Sequence, residues 1–160
     1  MIICGIDPGI TGGLTFIQDN ETHVVCERVP TVTYKINGKN KKFLDLVKIV
    51  NRLDLYKPYK VFIEKQQSMP KQGVASTFKT GFNYGIYIGA FVALGLDYKE
   101  VIPRQWKKDL GLKTSSKDEA REKASELIPY ASDSWKLKCE DGVAESALIA
   151  YWGLYYSQTP

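Results

Sequence analysis

Two short apolar runs that each end in a carboxylate constrain this fold most. "MIICGID" ends at Asp7, and "YKVFIEK" carries Glu64 directly after its apolar residues. Continuous apolar runs of this length are typical of strands in a parallel sheet that helices cover on both faces. Reactive groups in such sheets gather beyond the carboxyl ends of the strands. We therefore predict an α/β fold in which Asp7 and Glu64 face one crevice.

The remaining periodicities complete this prediction. "GGLTFIQ" and "HVVCERV" alternate as strands do, "FLDLVKIVNRLDLY" has helical spacing, and a long helix is expected over residues 74–94. A short strand, "KEVIP", and helices near 104–110, near 117–127 and from Val143 onward follow. These elements predict a five-stranded mixed sheet whose first three strands are antiparallel, with helices on both faces. The basic segment "YKINGKNKK" is predicted to be a loop.

Length and composition favour a single globular domain over residues 1–160, since 44% of the residues are hydrophobic and 25% are charged. The net charge of +4 is compatible with a nucleic-acid partner but does not require one. The longest apolar run, residues 85–96, is shorter than the roughly 20 residues that span a bilayer, so no membrane contact is expected.

The compartment is predicted from the start of the chain and from its cysteines. Met1 leads directly into the first strand, so we expect no signal peptide. The three cysteines form no C-x-x-C pair, which favours reduced thiols over a disulfide framework or a zinc site. These features predict a cytoplasmic or nucleoid-associated protein that is not secreted, and they are compatible with a phage-encoded protein in a bacterial host.

The closing segment "EDGVAESALIAYWG" adds two further acids. Asp141 and Glu145 are four residues apart, about 40° around a helix, so they lie on one side of it. If this helix leans over the sheet edge, they join Asp7 and Glu64 in one acidic cluster. Four carboxylates so close to one another cannot all stay ionised without cations. Two Mg²⁺ ions per site, with Mn²⁺ able to substitute, would neutralise them and bind phosphate oxygens.

Each acid also has an ordinary structural explanation. Asp7 could cap a turn, Glu64 could pair with Lys65, Asp141 could be an N-cap, and Glu145 could be a solvated helix residue. Their convergence on one edge favours the metal site. Glu140 falls about 140° from Glu145 around a helix and is left out of the predicted ligands.

Four segments, "GIDPGITGG", "VFIEKQQSMPKQG", "VIPRQWKKDLGLKTSSK" and "EDGVAESALIAYWG", resemble the motif regions of RuvC-like Holliday junction resolvases in order and spacing. The branch found in phages and chloroplasts is the most similar, and the resemblance runs from residue 1 to about 153. It implies an RNase H-like fold, a homodimer, and Mg²⁺- or Mn²⁺-dependent nicking of two symmetry-related strands of a four-way DNA junction. The ends expected are a 5′-phosphate and a 3′-hydroxyl.

Carried over by position, Asp7, Glu64 and Glu145 match the acids of the family. Lys107 and Lys117 resemble basic residues near the scissile phosphate or along the DNA path, and Lys117 is predicted to take part in catalysis. The closing acids depart from the family pattern, because they are four residues apart rather than three. His23 is the only histidine, so a histidine base is not expected.

Contacts with DNA are predicted from the basic clusters and from the loop after Glu64, which is well placed to touch a junction centre. Solvated surface lysines are the alternative explanation for each cluster. Phe78 could stack against an unpaired base. The predicted DNA-binding residues are Lys65, Gln67, Lys71, Phe78, Lys79, Lys107, Lys108 and Lys117.

The long helix carries Gly81, Gly85 and Gly89 at a spacing of four. An interior glycine costs about 1 kcal/mol of helix propensity relative to alanine. We therefore expect close packing along this stripe, either against the sheet or against a partner helix. Tyr84, Tyr87 and Phe91 of the same helix are expected in the core.

Three rival functions follow from the same residues. A non-catalytic junction-binding module would keep the fold without the acids. An actin-like phosphotransferase needs a second lobe for which 160 residues leave no room. A broader nuclease acting on branched DNA or RNA–DNA hybrids remains open, and no small-molecule cofactor is expected.

Overall fold

The computed structural model describes residues 1–19, 23–68, 70–112 and 116–157, apart from the Lys117 side chain. Except for α1, the helices follow β6 in the chain. The strands are β1 (Ile2–Asp7), β2 (Gly13–Gln18), β3 (Val24–Arg28), β4 (Thr31–Ile36), β5 (Lys39–Leu44), β6 (Lys60–Glu64) and β7 (Tyr98–Val101). The helices are α1 (Leu46–Tyr56), α2 (Val74–Ala93), α3 (Pro103–Asp109), α4 (Lys117–Leu127) and α5 (Asp141–Tyr155), with 3₁₀ turns at Pro129–Trp135 and Lys138–Glu140.

Five strands form the main sheet in the order β3-β2-β1-β6-β7. The pairs β1–β2 and β2–β3 are antiparallel, whereas β1–β6 and β6–β7 are parallel. This confirms the predicted mixed α/β sheet. The two most apolar strands, β1 and β6, are neighbours at its centre, where both of their faces are covered.

Alternation along the central strands divides the core into two layers. Ile3 and Phe62 pack with α5, α4 and α3 on one face. Cys4 and Ile63 belong to the other layer, on the face of the sheet that α1 and α2 cover. Helix α2 contributes buried Tyr87 and Phe91 to this second layer, as predicted, while Tyr84 is half-buried and donates its O–H to Glu100 at 2.8 Å.

Helix α5 lies directly on the backbone of β1 because Gly5 has no side chain to hold them apart. A Cβ at Gly5 would lie 2.3 Å from the nitrogen of Ala150 and 2.3 Å from the carbonyl oxygen of Ser146. At the start of the helix, Gly142 forms a parallel β-bridge with Gly12 of the turn after β1. The first turn of α5 is therefore fixed beside the carboxyl end of β1.

The structure corrects the prediction for "YKINGKNKK", which is not a loop. Strands β4 and β5 form an antiparallel hairpin that makes a separate two-stranded sheet. Asn37 and Gly38 form its turn with φ angles of 51° and 76°. Asn-Gly favours this positive-φ hairpin turn. The alternation of apolar residues that marks a half-buried strand is absent here, because most residues of β4 and β5 are exposed.

The closing helix begins at Asp141, two residues before the predicted start at Val143. This difference places Asp141 inside the first turn rather than ahead of it. Among the described residues, no helix combines the length and the apolar character needed to cross a membrane.

Replacing Gly5 by alanine tests the contact between α5 and β1. The new methyl group would overlap backbone atoms of α5, so the helix must shift. Overpacking of this kind costs about 1–3 kcal/mol, and occasionally more. We expect a loss of at least that size in urea unfolding. Gly73→Ala is the matched control, because Gly73 has a φ of −64° and open space around a Cβ; equal stability of the two variants would contradict the described contact.

Candidate active site

Strands β1 and β6 bring two of the predicted acids to the same edge of the sheet. Their register pairs Ile6 with Ile63, so the next residues, Asp7 and Glu64, lie level on neighbouring strands. Paired strands are about 4.8 Å apart. Gly5 and Phe62, two residues earlier on each strand, both face α5. Because side chains alternate, Asp7 and Glu64 fall on this same face.

Glu145, in α5, completes a cluster of three carboxylates. The pKa of Asp7 rises to about 7, first because the group is buried and then because Glu145 and Glu64 repel its charge. The backbone N–H of Gly9, which donates to Asp7 Oδ1 at 3.3 Å, opposes this rise, as does Lys107. The pKa of Glu64 is also raised, by burial and then by Glu145. The three acids therefore share one electrostatic environment although the chain separates them widely.

Helix α3 supplies the groups that hold two of these acids in place. Lys107 Nζ lies 2.9 Å from Glu145 Oε1, and Trp106 Nε1 donates to Glu64 Oε2 at 3.0 Å. Pro103 is the first residue of the helix, and the side chain of Trp106, in the same helix, is fully buried. Trp106 was not among the predicted site residues. The available signal was its position directly before Lys107 in "PRQWK".

Asp141 has a different neighbour from the other three acids. Its Oδ1 lies 3.0 Å from Arg121 Nε of helix α4, and both side chains are largely buried. The next position faces the cluster instead, because a Cβ at Gly142 would lie 2.9 Å from Asp7 Oδ2. The first turn of α5 thus directs residues 142 and 145 toward Asp7 and directs Asp141 toward α4. Three of the four predicted acids come together, and the fourth pairs with Arg121.

The other predicted residues occupy several surfaces. Glu140 lies 3.4 Å from Arg28, outside the cluster. His23 is exposed just before β3. Lys117 is the first residue of α4, and its side chain lies outside the described residues. Lys65 lies 3.5 Å from Glu100. The remaining predicted DNA contacts are exposed: Gln67, Lys71, Phe78, Lys79 and Lys108.

The donor chemistry of the cluster fits a hard divalent cation, since all three groups are carboxylates, the ligands Mg²⁺ prefers. Within the described ranges, no three His, Cys, Asp or Glu side chains already stand in a geometry that could hold a metal ion. The ammonium of Lys107 is the counter-charge at Glu145 instead. A cation would therefore compete with Lys107 for Glu145.

A match to a known protein family shows which family this chain belongs to. Residues 3–133 match the family described as "Crossover junction endodeoxyribonuclease RuvC". The chain belongs to the RuvC family. The matched span contains Asp7, Glu64 and Lys107 and ends before α5, so the assignment does not depend on Asp141 or Glu145.

Solved structures of this family and of other Holliday junction resolvases share the fold. RuvC of Thermus thermophilus, in complex with a Holliday junction substrate, has a TM-score of 0.62 and 18% identity, covering 97% of this chain and 94% of its own. The yeast mitochondrial Holliday junction resolvase Ydc2 has a TM-score of 0.61 and 18% identity, covering 95% and 77%. The fowlpox virus resolvase, with its substrate Holliday junction DNA, has a TM-score of 0.52 and 18% identity, covering 99% and 100%. No curated protein matches this chain in sequence.

The raised pKa of Asp7 predicts how metal-free protein responds to pH. The pKa of Asp7 is about 7 in the folded protein, whereas the ordinary pKa of this group is 3.8. The free energy of unfolding therefore falls as the pH rises from about 4 to about 7, and it stays low at higher pH. Asp7→Asn removes this loss. We expect the variant to melt several degrees above the wild type at pH 8 in EDTA, and the difference to vanish near pH 4.

Divalent cations should reverse the order of the two melting temperatures. Millimolar Mg²⁺ or Mn²⁺ at pH 8 should raise the melting temperature of the wild type and leave Asp7→Asn nearly unchanged. An Asp7→Asn protein that is less stable than the wild type in EDTA at pH 8, or that gains as much from the cation, would contradict the shared carboxylate site.

Proposed function

We propose that this chain is a structure-selective DNA endonuclease that resolves four-way (Holliday) junctions by paired nicking of symmetric strands. The convergence of Asp7, Glu64 and Glu145 on one sheet edge carries this proposal, together with membership of the RuvC family. Residues 1–160 act as one RNase H-like nuclease domain in the cytoplasm or at the nucleoid. The T. thermophilus and fowlpox relatives, whose structures contain junction DNA, support a four-way junction as substrate.

Two Mg²⁺ ions, or Mn²⁺ in their place, would supply phosphate binding and charge neutralisation for hydrolysis that leaves a 5′-phosphate and a 3′-hydroxyl. Asp7, Glu64 and Glu145 would hold them. Asp141, also predicted as a ligand, has its Oδ1 in an ion pair with Arg121, so a cation would compete with Arg121 for that oxygen.

The remaining groups of the site position these ligands and offset charge. Trp106 fixes one oxygen of Glu64 through its Nε1–H and so orients the carboxylate. Lys107, once its partner Glu145 is neutralised by a cation, can donate to a phosphate oxygen. Lys117 would offset charge on the phosphate from the start of α4.

Cleavage assays test this proposal directly. Asp7→Asn, Glu64→Gln and Glu145→Gln should each lower the nicking rate of a synthetic four-way junction in Mg²⁺ by well over 100-fold. Loss of outer-shell partners of a metal already costs about 10–100-fold, and loss of a ligand should cost more. Junction binding in EDTA should remain. Glu140→Gln is the control, because Glu140 pairs with Arg28 outside the cluster, and it should cleave like the wild type.

The same assay separates the alternatives. Faster cleavage of a three-way branch or an RNA–DNA hybrid than of the four-way junction would favour a broader nuclease. Junction binding without nicking by the wild type would favour a non-catalytic binding module. Either result would contradict the proposed activity.

We also propose that the protein acts as a homodimer through the outer face of α2. A Cβ at Gly81, Gly85 or Gly89 would meet nothing within 4 Å, so these glycines do not pack against the sheet. Val74 and Val92 on the same face are 88% and 68% exposed. The glycine stripe leaves room for a second helix to approach closely. A two-fold dimer would present two identical sites to a junction that is itself two-fold symmetric.

Gly85→Arg tests this interface. The long side chain should keep the two helices apart, whereas the monomer fold should persist because the position faces open space. We expect wild-type dimers and variant monomers in sedimentation at micromolar concentration, with loss of paired nicking. Asn51→Arg, at an exposed position of α1, should remain dimeric. A monomeric wild type, or a dimeric Gly85→Arg variant, would exclude this interface.

A further inference from the structure

A buried ion pair joins helix α4 to the first turn of α5, beside the carboxylate cluster. Arg121 Nε lies 3.0 Å from Asp141 Oδ1, and the exposed fractions of the two side chains are 16% and 12%. Both atoms are shielded from solvent, and they form an ion pair without the alignment of a hydrogen bond. Since poor alignment weakens such a contact, a cation of higher charge can compete for the carboxylate.

The ion pair, rather than the geometry of α5, keeps the Asp141 carboxylate out of the cluster. Asp141 precedes Glu145 by four residues, which is about 40° around the helix axis. It also precedes Gly142, the position of α5 that lies against Asp7. Asp141 therefore stands at the margin of the cluster. A change in its side-chain torsion angles, without movement of the helix, would turn its carboxylate toward Glu145.

Position 142 itself has no room for a ligand. A Cβ at Gly142 would lie 2.3 Å from the carbonyl oxygen of Thr11 and 2.5 Å from the Cα of Gly12. Any side chain there would push the turn after β1 away from the helix. Of the residues in the first turn of α5, Asp141 is thus the one that can add a fourth carboxylate.

Arg121 has a second acidic partner and space in which to move. Its Nη2 contacts Asp118 Oδ1, three residues earlier in α4. A cavity of about 600 Å³ lies beside this contact, and its lining includes Asp118, Arg121, Glu122 and Ser125. The guanidinium can therefore turn away from Asp141 into a polar cavity and keep an acid beside it, which avoids leaving a buried charge uncompensated.

We propose that Arg121 is a positioning residue that decides whether three or four carboxylates face the cations. While Arg121 holds Asp141, the cluster consists of Asp7, Glu64 and Glu145. When the guanidinium turns away, Asp141 completes a set of four. This role rests on the proposed function, because the cations are those that the nuclease would use.

Calorimetric titration of the DNA-free protein with Mn²⁺ tests this role without cleavage. Partners that orient ligand groups change metal affinity by about 10–100-fold, so Arg121→Gln should raise Mn²⁺ affinity about 10-fold or more by releasing a further carboxylate. Asp141→Asn should bind Mn²⁺ like the wild type, because the ion pair already withholds this group. The double variant Arg121→Gln/Asp141→Asn should lose the gain. Arg121→Lys, which keeps the charge, should bring the affinity back toward that of the wild type.

Two variants in the same helix control for lost charge and for lost packing. Lys123→Gln also removes one positive charge, but Lys123 pairs with Glu126. Ser125→Ala removes the hydroxyl that accepts a hydrogen bond from Trp135 Nε1 at 2.9 Å, and so loosens the packing of α4. Both variants should keep the Mn²⁺ affinity of the wild type.

Three results would overturn this role. The first is a folded Arg121→Gln protein that binds Mn²⁺ no more tightly than the wild type. The second is a gain that persists in the double variant, which would assign the effect to the charge of Arg121 alone. The third is a loss in Asp141→Asn as large as in Asp7→Asn, which would show that Asp141 is already a ligand.

The third result requires no Arg121 variant, so the proposal can fail even where Arg121→Gln does not fold. The proposed function fails separately, if wild-type protein does not nick four-way junctions in Mg²⁺, because the Mn²⁺ titrations contain no DNA.

Discussion

The direct packing of α5 on the backbone of β1 is the contact on which both the fold and the site depend. Gly5 and Gly142 leave no room for a side chain between the helix and the strand or its following turn. In the interior, Thr15 Oγ1 lies 2.8 Å from Ser146 Oγ, which itself donates to the carbonyl of Val143. These contacts set the height and rotation of α5, and so they place Glu145 beside Asp7. A side chain that forced the helix outward would separate the acids as well as loosen the core.

This packing gathers charge that opposes folding. Asp7 is partly buried next to Glu145 and Glu64, and its pKa near 7 reflects that cost. Two groups from α3, the ammonium of Lys107 and the indole N–H of Trp106, offset part of it. A bound divalent cation would offset more, so the arrangement that is unfavourable in the free protein is the one that favours cation and phosphate binding. The instability of the empty cluster and its proposed activity have the same physical origin.

The sequence predicted the central features of the fold because they follow from local patterns. The apolar runs that end in Asp7 and Glu64 indicated parallel neighbouring strands, and the sheet has them so. The hairpin was missed because strands exposed on both sides carry no apolar alternation, although Asn37-Gly38 signalled its turn. The placement of Asp141 depends on Arg121, a residue of a separate helix whose position no spacing rule gives. Trp106 was missed for a similar reason, since only the packing of α3 brings its N–H to Glu64.

Three acids that are distant in the chain must hold the cations together, and anomalous diffraction from Mn²⁺ measures this most directly. Crystals of the wild-type protein with a four-way junction and Mn²⁺ should show strong anomalous peaks within bonding distance of Asp7, Glu64 and Glu145. Lys107 should then have left Glu145 and lie near a phosphate. Manganese bound elsewhere, or a junction seated on the protein with Lys107 still paired to Glu145 and the cluster without manganese, would contradict the account.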